Sequence, residues 1–450
     1  MYFNDTSTPV IVLKADEHSG VGIVRSLGRL GVAVDAVDCS RHFPAMMSKF
    51  SRKCFRWNLD HAPFKDSAEF LSGVGKRLKK RAVLIPTTDR TAMFVAQFAD
   101  PLKEYFLFPN QSVEQLRLLC DKKEMYFLAR RLGVPTPDSF FPATGYEALQ
   151  LGNELPYPLL LKTVNSEKRD GDHFKRGRKT ALAQTADEFT SLCGALEEQD
   201  HALNVMVQQY IPGRQDCAWV FDGFFDDNSR CLAAFTGKKL RQYPPHAGAA
   251  SLGISIWNET VASSAQEFMK AIGYRGAVEI DFRFDVHEKR FKVLAVHPRV
   301  GASFRLSIGR NGMDVVRALY LSLTHTSQRD LQSVFSTVQW ESRKWIVEDN
   351  DLAASFRYVR EGIVSFREWV RSFRGINEAG YFAFDDPVPF FAMAALRGWK
   401  LAAKIFRRKR VLKKFILTRR TRENSRAPYI GDKKIQAGIE RHIEQEGIAV

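Results

Sequence analysis

Glu279, Asp281 and Arg283 take alternate positions in Gly276–Phe284 (GAVEIDFRF), and Ala295, His297 and Arg299 alternate along Phe291–Arg299 (FKVLAVHPR). A period of two places each set on one face of a strand. Asp285–Arg290 supplies a turn between them, so the two runs predict an antiparallel hairpin with adjacent polar faces. Charged side chains on the inner face of a hairpin are costly unless they meet an ion or a ligand. The chemistry this pattern suits is the holding of a charged group. A second candidate is Lys162, which ends the short apolar strand Pro158–Lys162. The loop after it, Asn165–Lys179, carries seven basic residues (His173 included) against Glu167, Asp170 and Asp172. It reads either as a solvated hairpin or as a flap over phosphates.

The elements that must position these residues begin at the N-terminus. An apolar run Pro9–Leu13, the turn Ser19–Gly22, an amphipathic stretch Ile23–Leu30 and a strand Val32–Asp38 make a βαβ unit. Its glycines bring a helix N-terminus close to a ligand or to the sheet. Gly20-x-Gly22-x-x-Arg25 lacks the third glycine of a dinucleotide fingerprint, which favours a structural turn. Ala82–Pro86 is another strand, ending in the polar Thr87-Thr88-Asp89 typical of open α/β sheets. A helical period runs from Ser112 to Leu132 and stops at Gly133–Pro137.

The chain has 450 residues, enough for two to four compact units, and 45% of them are apolar, which excludes a disordered tail or low-complexity scaffold. Its formal charge of +16 is uneven. Arg397–Arg426 holds 13 Lys and Arg and one acid, Glu423, leaving only +4 on the other residues. Six scattered cysteines, with no Cys-x-x-Cys pair, argue against a zinc module or a disulfide framework. Met1–Val12 lacks the pattern of a secretory signal, and no uncharged apolar run is long enough to span a bilayer. The expected location is the cytoplasm, including peripheral attachment at the inner membrane face.

Taken together, these segments resemble the ATP-grasp superfamily, and within it the carboxylate–amine ligase branch of D-aspartate ligase-like proteins. The resemblance covers about residues 8–325, with an echo to about 395. Its pieces fall in family order: Val24–Gly31, Asp121-Lys122 heading a helix that ends LGVPTP, Tyr157–Lys162 (YPLLLK) and Val207–Gly213 (VQQYIPG). Phe235–Gly248 (FTGKKLRQYPPHAG), the hairpin with His297-Pro298-Arg299, and Asp385–Phe390 follow. The resemblance implies an N-terminal α/β domain with an open parallel sheet (1–111). It implies next a two-lobed α+β ATP-grasp domain (112–325, lobes about 112–205 and 206–325) and a helical, basic C-terminal region (326–450). It further implies an enzyme that uses ATP and magnesium to turn a carboxylate into an acyl phosphate, which an amine then attacks. The substrates would be an amino acid or a cell-envelope precursor.

On the same footing, Lys122 and Lys162 would grip the α- and β-phosphates. Gln208, Gln209 and the Ile211 backbone would face adenine, and Asp216 the ribose. Lys239 and Arg241 would hold a carboxylate or acyl phosphate, where a guanidinium fork fits. Arg299 would meet the γ-phosphate, and Asp281 and His297 would hold the metal. The family carries Glu and Asn where Ala295 and His297 stand. Three outcomes follow from that departure: an enzyme using one magnesium, a changed metal preference towards manganese, or a nucleotide-binding protein without ligase activity that sits at the membrane surface. Pro389–Phe406 followed by Arg407–Arg410, Lys413-Lys414 and Arg419-Arg420 describes an interfacial helix for an anionic membrane over residues 389–420. A solvated basic helix and a nucleic-acid tail are the alternatives. No zinc, helix-turn-helix or RNA-motif signature supports nucleic acid.

Overall fold

The computed structural model describes residues 3–164, 180–194, 204–213, 217–246, 248–324 and 337–403. Asp216, the Asn165–Lys179 loop and most of the basic segment 397–426 lie outside the described residues. The chain divides into two compact units, Met1–Phe141 with Met206–Met393, and Pro142–Val205 with Ala394–Val450.

The first unit opens with a five-stranded parallel sheet ordered β3-β2-β1-β4-β5. Its strands are β1 (Val10–Leu13), β2 (Val34–Asp38), β3 (Ser51–Arg56), β4 (Ala82–Pro86) and β5 (Phe106–Leu107). β1 and β4 read as unbroken apolar runs because helices cover both faces of the sheet. Helix His18–Gly28 begins with the two glycines of the turn, and both serve close packing. A Cβ on Gly20 would lie 2.7 Å from the Ala15 Cα, and one on Gly22 would lie 2.8 Å from the Arg305 Cγ.

The helical period at Ser112–Leu132 is two helices, Val113–Cys120 and Lys122–Arg131. Asp121 breaks it: its carboxylate caps the second helix by accepting from the Lys123 and Glu124 amides. The apolar faces of the pair explain why residues 112–141 join the first unit. Leu116 packs with Ala92 and Met93, while Met125 and Leu128 pack with Val293 and Val296 of the hairpin.

A seven-stranded sheet dominates the same unit, ordered β14-β13-β10-β11-β12-β15-β16. The strands are β10 (Ala218–Phe225), β11 (Cys231–Tyr243), β12 (Ala249–Ser255), β13 (Gly276–Asp285), β14 (Arg290–His297), β15 (Lys344–Ile346) and β16 (Ile376–Ala379). The hairpin forms as the alternation predicts. The C-terminal region is helical at Glu348–Arg360, Phe366–Arg371 and residues 388–403, and it also lends β15 and β16 to this sheet. Strand alternation sorts the two faces. Phe221, Val278, Ile280 and Phe282 pack against Val261, Ala265 and Phe268 of helix Glu259–Ala271. On the opposite face Val220 and Phe224 belong to a core with Leu306, Val316 and Tyr320. That second face also carries the charged residues. β6 (Ser139–Phe140) pairs antiparallel with β9 (Val205–Gln209), Ser139 opposite Gln208.

In the second unit, β7 (Leu159–Thr163) and β8 (Thr180–Ala183) form an antiparallel pair with Lys162 opposite Thr180. Helices Gly145–Glu154 and Ala186–Cys193 close together where Gly152 leaves room for the Phe189 ring.

Candidate functional site

Register assembles the site. Asp222 of β10 lies opposite Glu279 of β13, which lies opposite His297 of β14. One step along, Val220, Asp281 and Ala295 form the next row. From β11, Lys239 reaches Asp281, its Nζ 2.5 Å from Oδ1. The loop after β14 then folds over the carboxylates. The Ser303 amide donates to Glu279 Oε2 at 2.9 Å, and the Ser307 hydroxyl donates to Asp222 Oδ2 at 2.5 Å. Between these contacts a Cβ on Gly301 would fall 2.5 Å from Glu279 Oε2 and 2.7 Å from Asp222 Oδ1, so only glycine lets the backbone pass.

The N-terminal sheet contributes Asp89, first residue of helix Asp89–Gln97. Arg299 Nε donates to Asp89 Oδ1 at 3.1 Å, and His297 Nδ1 stands 3.5 Å from Oδ2. Burial would raise the Asp89 carboxyl, but the Arg299 guanidinium and His297 hold it well below the usual carboxylate range. The opposite holds at Asp222. Its burial and the neighbouring Glu279 carboxylate push it well above that range, which favours the neutral form. Among the described residues its Oδ1 has no hydrogen-bond partner. Lys239 is buried, which alone would lower its ammonium. The Asp281 carboxylate, helped by Glu279, reverses that and raises it. The face therefore holds an acid pushed towards its neutral form, a clamped ammonium and a guanidinium within a few strand positions.

The structure thus brings Lys239, Asp281, His297 and Arg299 together. It does not bring Arg241 to them. The fork expected to meet a substrate carboxylate meets Asp351 instead, Nε at 2.7 Å from Oδ1 and Nη2 at 2.9 Å from Oδ2. Nη1 donates to the Ser372 hydroxyl at 2.8 Å. Gln208 is buried and its Nε2 donates to Ser139 Oγ at 2.8 Å. The Gln209 amide donates to the Asp138 carbonyl at 2.9 Å. Arg283, read from sequence as part of the hairpin's polar face, braces this segment: its Nε donates to the Ile211 carbonyl at 2.6 Å and its Nη2 to that of Gly213 at 3.0 Å. Lys122 is the first residue of its helix, and Lys162 lies in β7 of the second unit. Both are half-buried.

Asp222 and Asp89 were not singled out as site residues. Asp222 had a signal, a lone carboxylate inside the apolar run Ala218–Phe225. Asp89 stood in the polar end of β4, but its partner lies 210 residues away.

Among the described residues no three His, Cys, Asp or Glu side chains converge as a metal cage. The donors present fit a different arrangement. Magnesium keeps several waters and binds through one or two carboxylates plus phosphate oxygens. Asp281 offers one such carboxylate, with His297 on the neighbouring row.

No family profile matches the chain. Over 246 residues, 53% of this chain, it is 25% identical to D-aspartate ligase of Enterococcus faecium. The match spans 58% of that relative's own length. Among solved structures, the L-amino acid ligase of Bacillus licheniformis superimposes with a TM-score of 0.55 at 14% identity, over 76% of this chain and 79% of the other. N5-carboxyaminoimidazole synthetase of Staphylococcus aureus, in complex with ADP, does so with a TM-score of 0.54 at 12% identity, over 80% of this chain and 99% of the other. These superpositions establish the fold, and the sequence likeness narrows it. The chain has the ATP-grasp fold, and over about half its length its sequence is similar to a carboxylate–amine ligase.

Proposed function

We propose that this protein is an ATP-dependent ligase that joins a carboxylate to an amine, with an amino acid or cell-envelope precursor among its substrates. The observation that carries the reading is the clamped ammonium of Lys239 on Asp281, on the sheet face whose hairpin also leads to the Arg299–Asp89 pair. Phosphoryl transfer needs positioning and charge neutralisation more than covalent help from the protein. A substrate carboxylate oxygen attacks the γ-phosphorus of ATP and ADP departs, leaving an acyl phosphate. The amine nitrogen then attacks the acyl carbon, phosphate leaves, and the nitrogen gives up a proton.

In this scheme Lys122 and Lys162 hold the α- and β-phosphates, and Arg299 meets the γ-phosphate. Gln208, Gln209 and the Ile211 backbone face adenine, and Asp216 the ribose. Lys239 steadies the carboxylate and then the acyl phosphate. Arg241 works at one remove, tying β11 beneath Lys239 to helix Glu348–Arg360 through Asp351. Magnesium or manganese carried with the nucleotide would sit at Asp281 and His297 and neutralise phosphate charge. The specificity of the pair rests with side chains around Tyr243–Ser251 and Ser303–Arg310.

ADP release measured with candidate pairs tests the reading: it should require both a carboxylate and an amine. Multiple-turnover release with neither, or with one alone, contradicts it. A second reading follows from Ala295, which leaves Asp281 without a facing carboxylate. There the protein binds ATP without turning it over and acts as a nucleotide-dependent module at the membrane surface. Binding without ADP release for every pair would select it.

We also propose peripheral attachment through residues 389–420 at the inner face of a membrane. The described part is helical and exposes Phe391, Trp399 and Leu401. Among the described residues no helix is long and apolar enough to cross a membrane.

A further inference from the structure

Helix Glu348–Arg360 turns Asp351, Ala354, Ser355 and Tyr358 inwards. A second stripe, Leu352, Phe356 and Val359, recurs at i, i+4 and i+7, the spacing of one helix face, yet it is exposed. Gly362, at φ +71°, ends the helix. Ile363, Phe366 and Val370 follow, also exposed. Phe356 is 71% exposed, and Phe366 is 64% exposed although its ring lies 5.6 Å from that of Trp369. The segment is nonetheless held firmly. The Trp369 indole donates to Asp351 Oδ2 at 3.0 Å, and Ser372 accepts from Arg241. The aromatic rings are therefore presented to solvent by an anchored backbone.

Charge decides what covers this face. Arg360, Arg367, Arg371 and Arg374 are all exposed, and among the described residues none of their guanidiniums is ion-paired with a carboxylate. The nearby glutamates are engaged elsewhere. Glu361 accepts from Arg357 at 2.7 Å and stands 2.8 Å from the His246 ring, and Glu368 caps the Ser365 amide at 2.7 Å. We propose that the apolar face Leu352–Val370 with its four arginines docks on an anionic lipid bilayer, independently of residues 389–420. Aromatic and aliphatic side chains flanked by unpaired arginines suit the headgroup–acyl boundary. A two-fold contact with a second copy would set the arginines against each other. The chain's own Arg397–Arg426 segment, at 13 bases to one acid, carries the same sign and so has no charge complementary to this face.

The test is co-sedimentation of the full-length protein with vesicles of phosphatidylcholine alone or mixed with phosphatidylglycerol. Binding is expected only to the mixed vesicles. Phe356→Ser with Phe366→Ser should weaken it about tenfold or more, and Arg367→Gln and Arg371→Gln about fivefold each. Because these side chains are exposed, the melting temperature should not fall. A variant with Arg407, Arg408, Lys409 and Arg410 all changed to Gln should keep binding that remains sensitive to the Phe356/Phe366 pair. The proposal is overturned by equal binding of wild type and the phenylalanine variant, by no vesicle binding, or by complete loss in the Arg407–Arg410 variant. It is overturned too if the phenylalanine pair instead dissociates a dimer seen by light scattering, or if DNA displaces the vesicles.

Discussion

Two buried charge assemblies stand on the same sheet and are built to different standards. Around Arg241 the fork meets both oxygens of Asp351, Ser372 takes the third donor, and Asp351 further accepts from Ser251 and Trp369. At the hairpin, Asp222 keeps an orphan oxygen, His297 reaches Asp89 only at 3.5 Å, and Asp281 retains partial exposure. Burying charge is tolerable when the hydrogen bonds are complete. Completeness marks the Arg241 assembly as a staple, and incompleteness is what the ligand site proposed at the hairpin would require.

The sharpest way to break this comparison is Asp351→Ala. It strands a buried guanidinium and should cost about 3–5 kcal/mol in urea-induced unfolding. A loss under about 1 kcal/mol would remove the distinction.

Lys239→Met addresses the other assembly. Asp281 regains water, so stability should change by only about 1 kcal/mol, while substrate-dependent ADP release falls at least about a hundredfold. A large stability loss with release intact would make Lys239 a second staple.

Asp222→Asn has the smallest effect and sharpens the picture through pH. The folded pKa of Asp222 is raised, so its folded form stays protonated while the unfolded chain ionises above about 3.9. The wild type therefore loses stability as pH rises from about 4 towards neutrality, and Asp222→Asn should flatten that slope. An unchanged slope would show that Asp222 is ionised in the folded protein.

Much of this was readable in the residues, and the limits have a physical cause. The hairpin was legible because period-two alternation, a polar turn and the charges all lie within Gly276–Arg299. The βαβ start was legible for the same local reason. Nothing local announces that Arg299 pairs with Asp89 or Arg241 with Asp351, because each pairing depends on how distant strands stack. A guanidinium looks the same in sequence whether it awaits a substrate or grips a carboxylate 110 residues on. The β15 and β16 strands were missed because runs of three and four residues carry too little alternation.

Arg25 carries a consequence for how the chain is made. Its guanidinium, buried inside the first helix, donates to the Asp386 carboxylate at 2.9 Å and to the Tyr381 carbonyl at 2.7 Å. The Asp386 partner comes 361 residues later. At about 5–20 residues per second, a ribosome needs about 20–70 s to deliver that partner. Throughout that interval the opening helix holds a cation that it cannot yet bury. The sheet of β1–β5, made before the Asp386 segment, is therefore completed only once that segment arrives.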